Sequence, residues 1–243
     1  MCLHDIDIAI LAGGLGTRLR SVLDDRTPKI LAQVNGHPFL DHLLDWLAAY
    51  GARRIILCLG YLADRVSEHL ETIEAPCEIV ISIEPSPQGT AGALRHARRH
   101  LRTDPVLVLN GDSFVGADLC AFLAAYGNTS AQTGLICTKV SDTSRYGKVH
   151  IAPNNTVVSF AEKTGENKAG YINAGVYLLS ADLLDTIAAG AASSLERNVF
   201  ASLPPGQIFV FKGSFPFIDI GTPTDLVRAN TILSHNLSIT HRP

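Results

Sequence analysis

Several patterns that define other classes of protein are missing from this sequence of 243 residues. It contains no Cys-x-x-Cys pair, no His-Glu-x-x-His motif and no Gly-x-Ser-x-Gly motif. We therefore expect neither the common zinc sites nor the nucleophilic serine of an α/β-hydrolase. The formal net charge is −3. The sequence therefore lacks the excess of basic residues that is typical of nucleic-acid-binding proteins, and we expect no nucleic acid partner.

Long apolar stretches are also missing. No apolar run approaches the roughly 20 residues that a membrane helix needs, and the N-terminus lacks the charged and apolar parts of a signal peptide. We therefore expect no membrane partner. The five cysteines are scattered, and Cys58 and Cys137 lie within apolar runs, where we expect buried thiols. This cysteine usage favours a reducing, cytoplasmic location.

Apolar runs of strand length alternate with segments of helical periodicity over the first 146 residues. Strands are predicted at 6–12, 54–59, 78–83, 106–110 and 134–140, and helices at 39–49, 62–70, 90–101 and 117–126. Such alternation predicts a mainly parallel sheet that is covered by helices on both faces.

The pattern changes near Gly147. A hairpin is predicted at 148–151 and 157–160, followed by a strand at 172–179, a helix at 181–189, a strand at 208–211 and a helix at 223–234. Thr222 is the predicted N-cap of the last helix. We expect one domain over residues 1–243, in which residues 1–146 form a nucleotide-binding half and residues 147–243 cover a second substrate.

A glycine-rich loop follows the first predicted strand and reads Gly-Gly-Leu-Gly-Thr-Arg-Leu from Gly13. Its glycines let the backbone approach phosphates, and Arg18 adds a fork of donors that suits phosphate oxygens. The loop is neither a Walker A sequence nor Gly-x-Gly-x-x-Gly, because Leu19 replaces the third glycine. A tight strand-to-helix turn is the alternative. The residues assigned to the nucleotide here are Leu11, Ala12, Gly13, Gly14, Gly16, Thr17 and Arg18.

Two more positions extend this nucleotide site. Lys29 lies in a polar loop beside Pro28 and is a candidate phosphate ligand, although a lone lysine is often a solvated surface residue. Gln88, Gly89 and Thr90 open a predicted helix, and Gln88 carries both the donor and the acceptor that base recognition needs. The alternative for this segment is an ordinary helix N-terminus that Thr90 caps.

Two aspartates are candidate ligands of Mg²⁺. Asp112 follows the apolar strand 106–110, and Mg²⁺ prefers a few carboxylates together with phosphate oxygens and water. Asp219 has apolar residues on both sides, and burying a carboxylate is unfavourable unless it is paired or bound to a metal. A capping role is the alternative for Asp112.

Polar residues beside later strands are candidates for binding a second substrate. Alone, each is a weak signal, and Glu162–Lys163 is a common surface pair. The residues assigned to this substrate are Asn110, Tyr146, Gly147, Glu162, Lys163 and Asn173.

In their order and spacing these motifs resemble those of the sugar-1-phosphate nucleotidyltransferases, over residues 6–234. The matching segments are 13–19, 28–29, 89–92, 112, 162–163, 173–175 and 219–223. The resemblance implies an α/β fold, the three-layer α/β/α Rossmann-like nucleotide-diphospho-sugar transferase fold with a mixed, mostly parallel central sheet.

The resemblance also implies roles for the matching residues. Arg18 would bind the β- and γ-phosphates and Lys29 would act near the α-phosphate, so that these two and Asp112 are the expected catalytic residues. Mg²⁺ would be held by Asp112 and Asp219. The base would face Gln88 and Gly89, and Lys163 would hold the sugar phosphate, with Glu162, Asn173 and Gly147 around the sugar.

Two departures from the usual motifs point to one group of enzymes within this family. Ile30 replaces the second proline of Pro-Lys-Pro, and the segment 20–23 lacks a proline that many relatives have. This variant looks most like the heptose-1-phosphate guanylyltransferases of bacterial surface-polysaccharide synthesis. It implies transfer of GMP from GTP to D-glycero-D-manno-heptose 1-phosphate, with release of pyrophosphate, for surface polysaccharide or glycoprotein synthesis.

Alternatives are left open at this point. Within the same class they are mannose 1-phosphate or another hexose 1-phosphate as the acceptor, and UTP or CTP as the donor. A catalytically silent regulatory subunit that binds nucleotide sugars is the alternative of another class, which the presence of Arg18, Asp112 and Asp219 disfavours. A homodimer is also left open.

Overall fold

The computed structural model describes residues 1–14, 16–19, 22–161 and 168–240, with the last six of these described by their backbone alone. These residues form one large mixed sheet, two small ones and six α-helices. The helices are α1 (Phe39–Ala49), α2 (Ala63–Leu70), α3 (Gly89–Ala97), α4 (Leu119–Gly127), α5 (Ala181–Ala189) and α6 (Pro223–Thr240).

The strands are β1 (Ile8–Leu11), β2 (Gln33–Val34), β3 (His37–Pro38), β4 (Arg54–Leu59), β5 (Glu78–Ile83), β6 (Val106–Asn110), β7 (Ser113–Val115), β8 (Thr133–Val140), β9 (Lys148–Ile151), β10 (Val157–Ala161), β11 (Gly170–Leu179), β12 (Ile208–Gly213) and β13 (Phe217–Asp219). The main sheet has the order β10-β9-β11-β6-β1-β4-β5, and β8 pairs with both β11 and β12. Among the described strands of this sheet, only β10 and β11 run against the others, which confirms the mixed, mostly parallel arrangement.

Helices cover both faces of the sheet, because alternate strand residues point to opposite sides. On β1, Ile8 and Ile10 belong to the core beneath α1, α2, α4 and α6, whereas Ala9 belongs to the core beneath α3 and α5. The strand thus contributes to two apolar layers at once, which is why it reads as a continuous apolar run. The three-layer prediction is confirmed.

Helix α1 shows how apolar spacing produces one of these layers. Its residues Phe39, Leu40, Leu43, Leu44 and Leu47 are all buried, as the helical period requires. The helix runs from residue 39 to residue 49 as predicted, and the chain leaves it through Gly51, whose φ is +88°.

The ends of two other helices bear on the predictions. The backbone N–H of Asp225 donates to Thr222 Oγ1 at 3.3 Å, which confirms Thr222 as the cap of α6. The apolar spacing predicts that α3 reaches residue 101, but the helix ends at Ala97. A tighter 3₁₀ turn, Arg98–His100, follows it and closes on Leu101, which is buried.

The paired short strands β7 and β13 were missed by sequence reasoning. They pair antiparallel, with Asp219 opposite Ser113, and the backbone N–H of Ile220 donates to the carbonyl oxygen of Asp112 at 2.9 Å. Three residues are too few to show the alternation of apolar and polar side chains that indicates a strand, so no local pattern predicts β7 or β13. Their pairing brings the segment after β6 next to the start of α6.

Cysteine pairing is a second feature that sequence reasoning missed. Cys2 and Cys120 form a disulfide across 118 residues of sequence and tie the N-terminus to α4. Cys58 and Cys137 are free and buried, as predicted. None of the described helices is long and apolar enough to cross a membrane.

We predict that the double variant C2S/C120S lowers the free energy of unfolding by about 2–5 kcal/mol, because a bridge that closes a long loop restricts the unfolded chain. Urea unfolding, followed by circular dichroism, measures the change. In the presence of a reducing agent the variant and the unaltered protein should have the same free energy of unfolding. Titration of five rather than three thiols in the unfolded, unreduced protein would contradict the bridge.

Candidate active site

A cavity of about 290 Å³ opens at the carboxyl ends of the central parallel strands. Ligands bind in this place in open α/β sheets, because the loops that leave neighbouring strands converge there. Its wall comes from the loops after β1, β5 and β6, from the start of α3 and from the residues around Lys29. The predicted site residues that line it are Leu11, Ala12, Gly13, Gly14, Lys29, Gly89, Thr90, Asn110 and Asp112.

Two positive and two negative side chains meet at one end of the cavity. Lys29 Nζ donates to Asp112 Oδ2 at 2.7 Å and lies 3.5 Å from Asp219 Oδ1. Gly221 lies directly beside them: a carbon atom at its Cβ position would be 3.0 Å from Arg18 Nη2 and 3.3 Å from Lys29 Nζ. The structure therefore brings together Arg18 and Asp219, which are 201 positions apart in the chain.

The backbone holds these charges in place. Asp112 follows β6 directly, and the pairing of β7 with β13 sets Asp219 beside it. Asp219 Oδ1 accepts a hydrogen bond of 2.6 Å from the backbone N–H of Gly221, which orients its carboxylate. The side chain of Asp112 keeps 42% of its surface exposed, against 12% for Lys29, so that Asp112 faces the open side of the cavity.

This arrangement suits a divalent cation. The positive Lys29 Nζ contacts one oxygen of each carboxylate. A metal ion in its place would therefore meet oxygens from both Asp112 and Asp219. The described residues hold no cluster of three or more histidine, cysteine, aspartate or glutamate side chains that could bind a metal without help. Two carboxylates are a set that Mg²⁺ often completes with substrate oxygens and water.

Glu84 is a buried carboxylate in the wall of the same cavity, and sequence reasoning missed it. Only 7% of the residue is exposed. Its Oε1 fills the space left by two glycines, since a Cβ at Gly13 or Gly60 would lie within 2.9 Å of that oxygen. Burial raises the pKa of Glu84, and the hydrogen bond from the backbone N–H of Gln88 to Oε2 opposes this rise.

The side chain of Gln88 points to a different partner. Its Oε1 accepts a hydrogen bond of 3.4 Å from Arg95 Nη1, and the residue does not line the described cavity. Glu84 could have been found by the same signal as Asp112, because each is a carboxylate just after a predicted apolar strand. The assignment of Gln88 to the base stays a prediction, with Glu84 as a competing candidate.

Residues 193–195 are hydrogen-bonded to the first turn of α3. The backbone N–H of Ala91 donates to the carbonyl oxygen of Ser193 at 3.1 Å, and that of Leu195 donates to Thr90 Oγ1 at 2.9 Å. Thr90 thus anchors a distant segment and does not cap its own helix. The same segment continues into Glu196, which approaches the second group of predicted site residues.

The second group lies beside β9, β10 and β11. A side chain at Gly147 would meet the carbonyl oxygen of Ala161 at 2.9 Å, so the loop before β9 lies against the end of β10. Tyr146 packs edge-on against Phe217, with ring centroids 5.7 Å apart, and does not line the described cavity. Glu162 and Lys163 lie outside the described residues.

Asn173 lies on β11, next to that loop in the sheet. Its Nδ2 donates to the hydroxyl oxygen of Tyr177 at 2.8 Å, and its Oδ1 accepts from the backbone N–H of Gly175 at 2.8 Å. Both ends of the amide therefore have partners within the protein.

Known proteins resemble this chain over nearly its whole length. The model of the nucleotidyl transferase family matches residues 8–235. A mannose-1-phosphate guanylyltransferase of Mycobacterium tuberculosis is 35% identical over 242 residues, which cover 98% of this chain and 67% of that protein. A D-glycero-alpha-D-manno-heptose 1-phosphate guanylyltransferase of Campylobacter jejuni is 33% identical over 216 residues, which cover 89% of this chain and 95% of that protein.

A solved structure shows a similar fold. HddC from Yersinia pseudotuberculosis, crystallised with GMP-PN, superposes with a TM-score of 0.84 at 32% identity. The match covers 93% of this chain and 98% of that one.

Proposed function

The chain belongs to the nucleotidyl transferase family, and from this premise we propose that it transfers GMP from GTP to a sugar 1-phosphate and releases pyrophosphate. The observation that carries the proposal is the meeting of Arg18, Lys29, Asp112 and Asp219 at one end of a strand-end cavity. Two cations and two carboxylates at one point suit a reaction between two phosphate groups, in which negative charge must be neutralised.

In the proposed reaction, a phosphate oxygen of the sugar 1-phosphate attacks the α-phosphorus of GTP. A bond forms between that oxygen and phosphorus while the bond to the β-phosphate breaks, and pyrophosphate leaves. The attacking oxygen is already an anion, so the reaction needs no general base. Lys29 would hold the α-phosphate, and Arg18 would stabilise the charge on the departing pyrophosphate.

Asp112 and Asp219 would bind Mg²⁺ in this proposal. Their paired carboxylates and the scarcity of other protein ligands among the described residues fit an ion that shares phosphate oxygens with its substrate. Bound Mg²⁺ supplies neutralisation of phosphate charge near the reacting phosphorus. Lys29 contacts both carboxylates in the structure and would move its ammonium group toward the phosphates when the substrates bind.

For the base, we propose that Glu84 recognises guanine. Guanine presents two adjacent donors, N1–H and the N2 amino group, and an ionised carboxylate only accepts hydrogen bonds. Glu84 supports this reading because it lines the cavity and is buried beside the glycine-rich loop. Adenine carries an acceptor in place of the N1–H donor and has no N2 amino group, so a carboxylate would discriminate against it.

We predict that E84Q lowers kcat/KM for GTP roughly 10- to 100-fold, the effect of removing one strong hydrogen bond to a charged group. The amide of the variant would turn a donor toward one of the donors of guanine. Activity with ATP or UTP should fall less or rise. The control is E68Q, since Glu68 is exposed and pairs only with Arg65 among the described residues. An equal decrease with all four nucleotides would argue against base recognition.

The proposed sugar is D-glycero-D-manno-heptose 1-phosphate. The support is the Campylobacter jejuni relative, whose name gives this sugar and which is 33% identical over 216 residues, together with the motif departures at Ile30 and at residues 20–23. Mannose 1-phosphate is the second candidate, because its relative has the higher identity. Pyrophosphate release, measured for four nucleoside triphosphates against both sugar phosphates, decides between them, and no release with any pair would reject the proposed function.

Two further expectations stay predictions. A cytoplasmic location would be unusual for a protein with a disulfide such as Cys2–Cys120, so titration of the free thiols also bears on the location. A homodimer would be tested by sedimentation of the purified chain.

A further inference from the structure

A buried carboxylate lies in the first turn of α6 and does not line the cavity of the proposed reaction. The side chain of Asp225 has no exposed surface, and three side chains of the described residues donate to it. Thr222 Oγ1 donates to Oδ2 at 2.6 Å, and Arg228 Nη1 donates to Oδ1 at 3.3 Å. The third donor, Arg145, lies 80 positions earlier in the chain, so Asp225 joins α6 to a distant segment.

The contact between Arg145 and Asp225 uses two atoms of each side chain. Arg145 Nη1 donates to Asp225 Oδ1 at 3.0 Å, and Nη2 donates to Oδ2. Burial raises the pKa of Asp225, but the hydrogen bonds from Arg145 and Thr222 outweigh burial and hold that pKa below its ordinary value. A guanidinium bound to both oxygens of a charged carboxylate is fixed in its plane and direction as well as in its distance.

Arg145 belongs to the loop of residues 141–147, which joins β8 to β9. Its Cζ lies 5.8 Å from the centroid of the Tyr146 ring, and that ring packs edge-on against Phe217 of β13. Phe217 comes two residues before Asp219 in the same short strand. The 141–147 loop is therefore attached to the first turn of α6 by an ion pair and to β13 by a ring contact.

Asp219 is held in a different way from this loop. The pairing of β13 with β7 and the hydrogen bond from the backbone N–H of Gly221 fix its carboxylate. Loss of the ion pair between Arg145 and Asp225 should therefore loosen the 141–147 loop and leave the candidate metal ligands in place.

We propose that Asp225 is a positioning residue which, by binding Arg145, holds the 141–147 loop where it contacts the sugar 1-phosphate. This inference rests on the proposed function, since Tyr146 and Gly147 of the loop are assigned to that substrate. Without the ion pair the loop would occupy its binding position for only part of the time, and the apparent affinity for the sugar 1-phosphate would fall by that fraction. Asp225 would thereby determine sugar binding without touching the sugar.

The first test compares D225N with R228M. Asparagine keeps the size of the side chain, but its amide nitrogen cannot accept from the guanidinium. The KM for the sugar 1-phosphate should rise roughly tenfold, as for a loop that is in place about a tenth of the time. The kcat, the KM for GTP and the Mg²⁺ concentration that gives half of the maximal rate should stay unchanged. Partial unfolding would instead lower the apparent kcat and leave the KM unaltered.

Arg228 offers a matched control, because it binds the same carboxylate from within α6. It lies three residues after Asp225, and its side chain is 59% exposed. R228M therefore removes one partner of Asp225 and keeps the contact with the 141–147 loop, so its KM for the sugar 1-phosphate should stay unchanged. The probe is either D-glycero-D-manno-heptose 1-phosphate or mannose 1-phosphate, whichever gives the faster release of pyrophosphate.

The second test breaks the same ion pair from the side of the loop. The side chain of Arg145 is 42% exposed, so R145M should fold, and it decides the question if D225N does not. R145M should raise the KM for the sugar 1-phosphate as much as D225N does, and the double variant should raise it no further, because both substitutions remove one contact. R145K should restore only part of the affinity, since an ammonium group lacks the planar fork of donors.

The third test measures hydrogen exchange in the protein without substrates. The backbone N–H of Tyr146 donates to the carbonyl oxygen of Thr143 at 3.0 Å, within the 141–147 loop. It should exchange several-fold faster in D225N and R145M than in R228M and the unaltered protein. The backbone N–H of Ile220, which donates to the carbonyl oxygen of Asp112, should exchange equally in all four.

Four results would overturn the inference: an unchanged KM for the sugar 1-phosphate in D225N and R145M, an equal rise in R228M, effects of D225N and R145M that multiply in the double variant, or unchanged exchange at Tyr146. Absence of pyrophosphate release by the unaltered protein with any nucleotide and sugar phosphate would reject the proposed function, and this role in sugar binding with it. An active protein whose D225N and R145M variants bind the sugar 1-phosphate normally would reject the inference alone.

Discussion

Replacing Asp112 with asparagine is expected to lower kcat/KM by on the order of 10³-fold, because charge neutralisation by a metal is worth several kcal/mol. The amide keeps the size of the side chain but loses the charge that would hold Mg²⁺. Lys29 Nζ also loses the negative charge of its 2.7 Å partner and keeps an ion pair only with Asp219, at 3.5 Å. Initial rates of pyrophosphate release at saturating Mg²⁺ measure the effect.

The control for this variant is D185N. Asp185 lies on α5, pairs with Arg98 and is 64% exposed, so loss of its charge should change activity little. The variant D219N should resemble D112N, and the double variant should be little worse than either, since both carboxylates serve one ion. Retention of more than a tenth of the activity by D112N, with Mg²⁺ still required, would show that Asp112 does not bind the metal.

Replacing Arg18 with methionine is expected to lower kcat roughly 10²- to 10³-fold, which corresponds to about 3–4 kcal/mol of lost stabilisation of the leaving group. Arg18 Nη2 lies 3.0 Å from the position that a Cβ atom of Gly221 would occupy. Lys29 Nζ and Asp219 Oδ1 lie within 3.3 Å of the same position. Arg18 itself is exposed, so the substitution should leave the fold intact. Single-turnover rates with bound GTP separate this loss from a loss of affinity.

A matched substitution, R53M, serves as the control. Arg53 is exposed and precedes the N-terminal end of β4, whereas the site lies at the carboxyl ends of the strands. R18K should recover only part of the rate, since an ammonium group cannot bind two phosphate oxygens in the plane of a guanidinium. An R18M variant with unchanged kcat and a raised KM for GTP would mean that Arg18 binds the ground state and does not stabilise the leaving group.

The strand-end loops were the most informative part of the sequence. Parallel strands of one sheet share a direction, so a residue just beyond each strand must reach the same edge. For this reason the sequence alone places Asp112 and the loop from Gly13 at one edge of the sheet. The alternation of apolar strands and helices leads to the three layers in the same way.

The remaining features depend on contacts between distant segments. Asp219 reaches Asp112 through the pairing of β7 with β13, each only three residues long. Glu84 fills a space that two distant glycines, Gly13 and Gly60, create together. The disulfide of Cys2 spans almost half of the chain. No local pattern reports such contacts, because each becomes visible only when the fold brings its members together.

We expect the α-phosphorus of GTP to react where Arg18, Lys29, Asp112 and Asp219 meet. The most direct test incubates the unaltered protein with sugar 1-phosphate, Mg²⁺ and GTP labelled with ³²P at either the α or the γ position. We predict that the α label appears in the nucleotide sugar and the γ label in pyrophosphate. Release of the γ label as inorganic phosphate, with no α label in a sugar product, would contradict it.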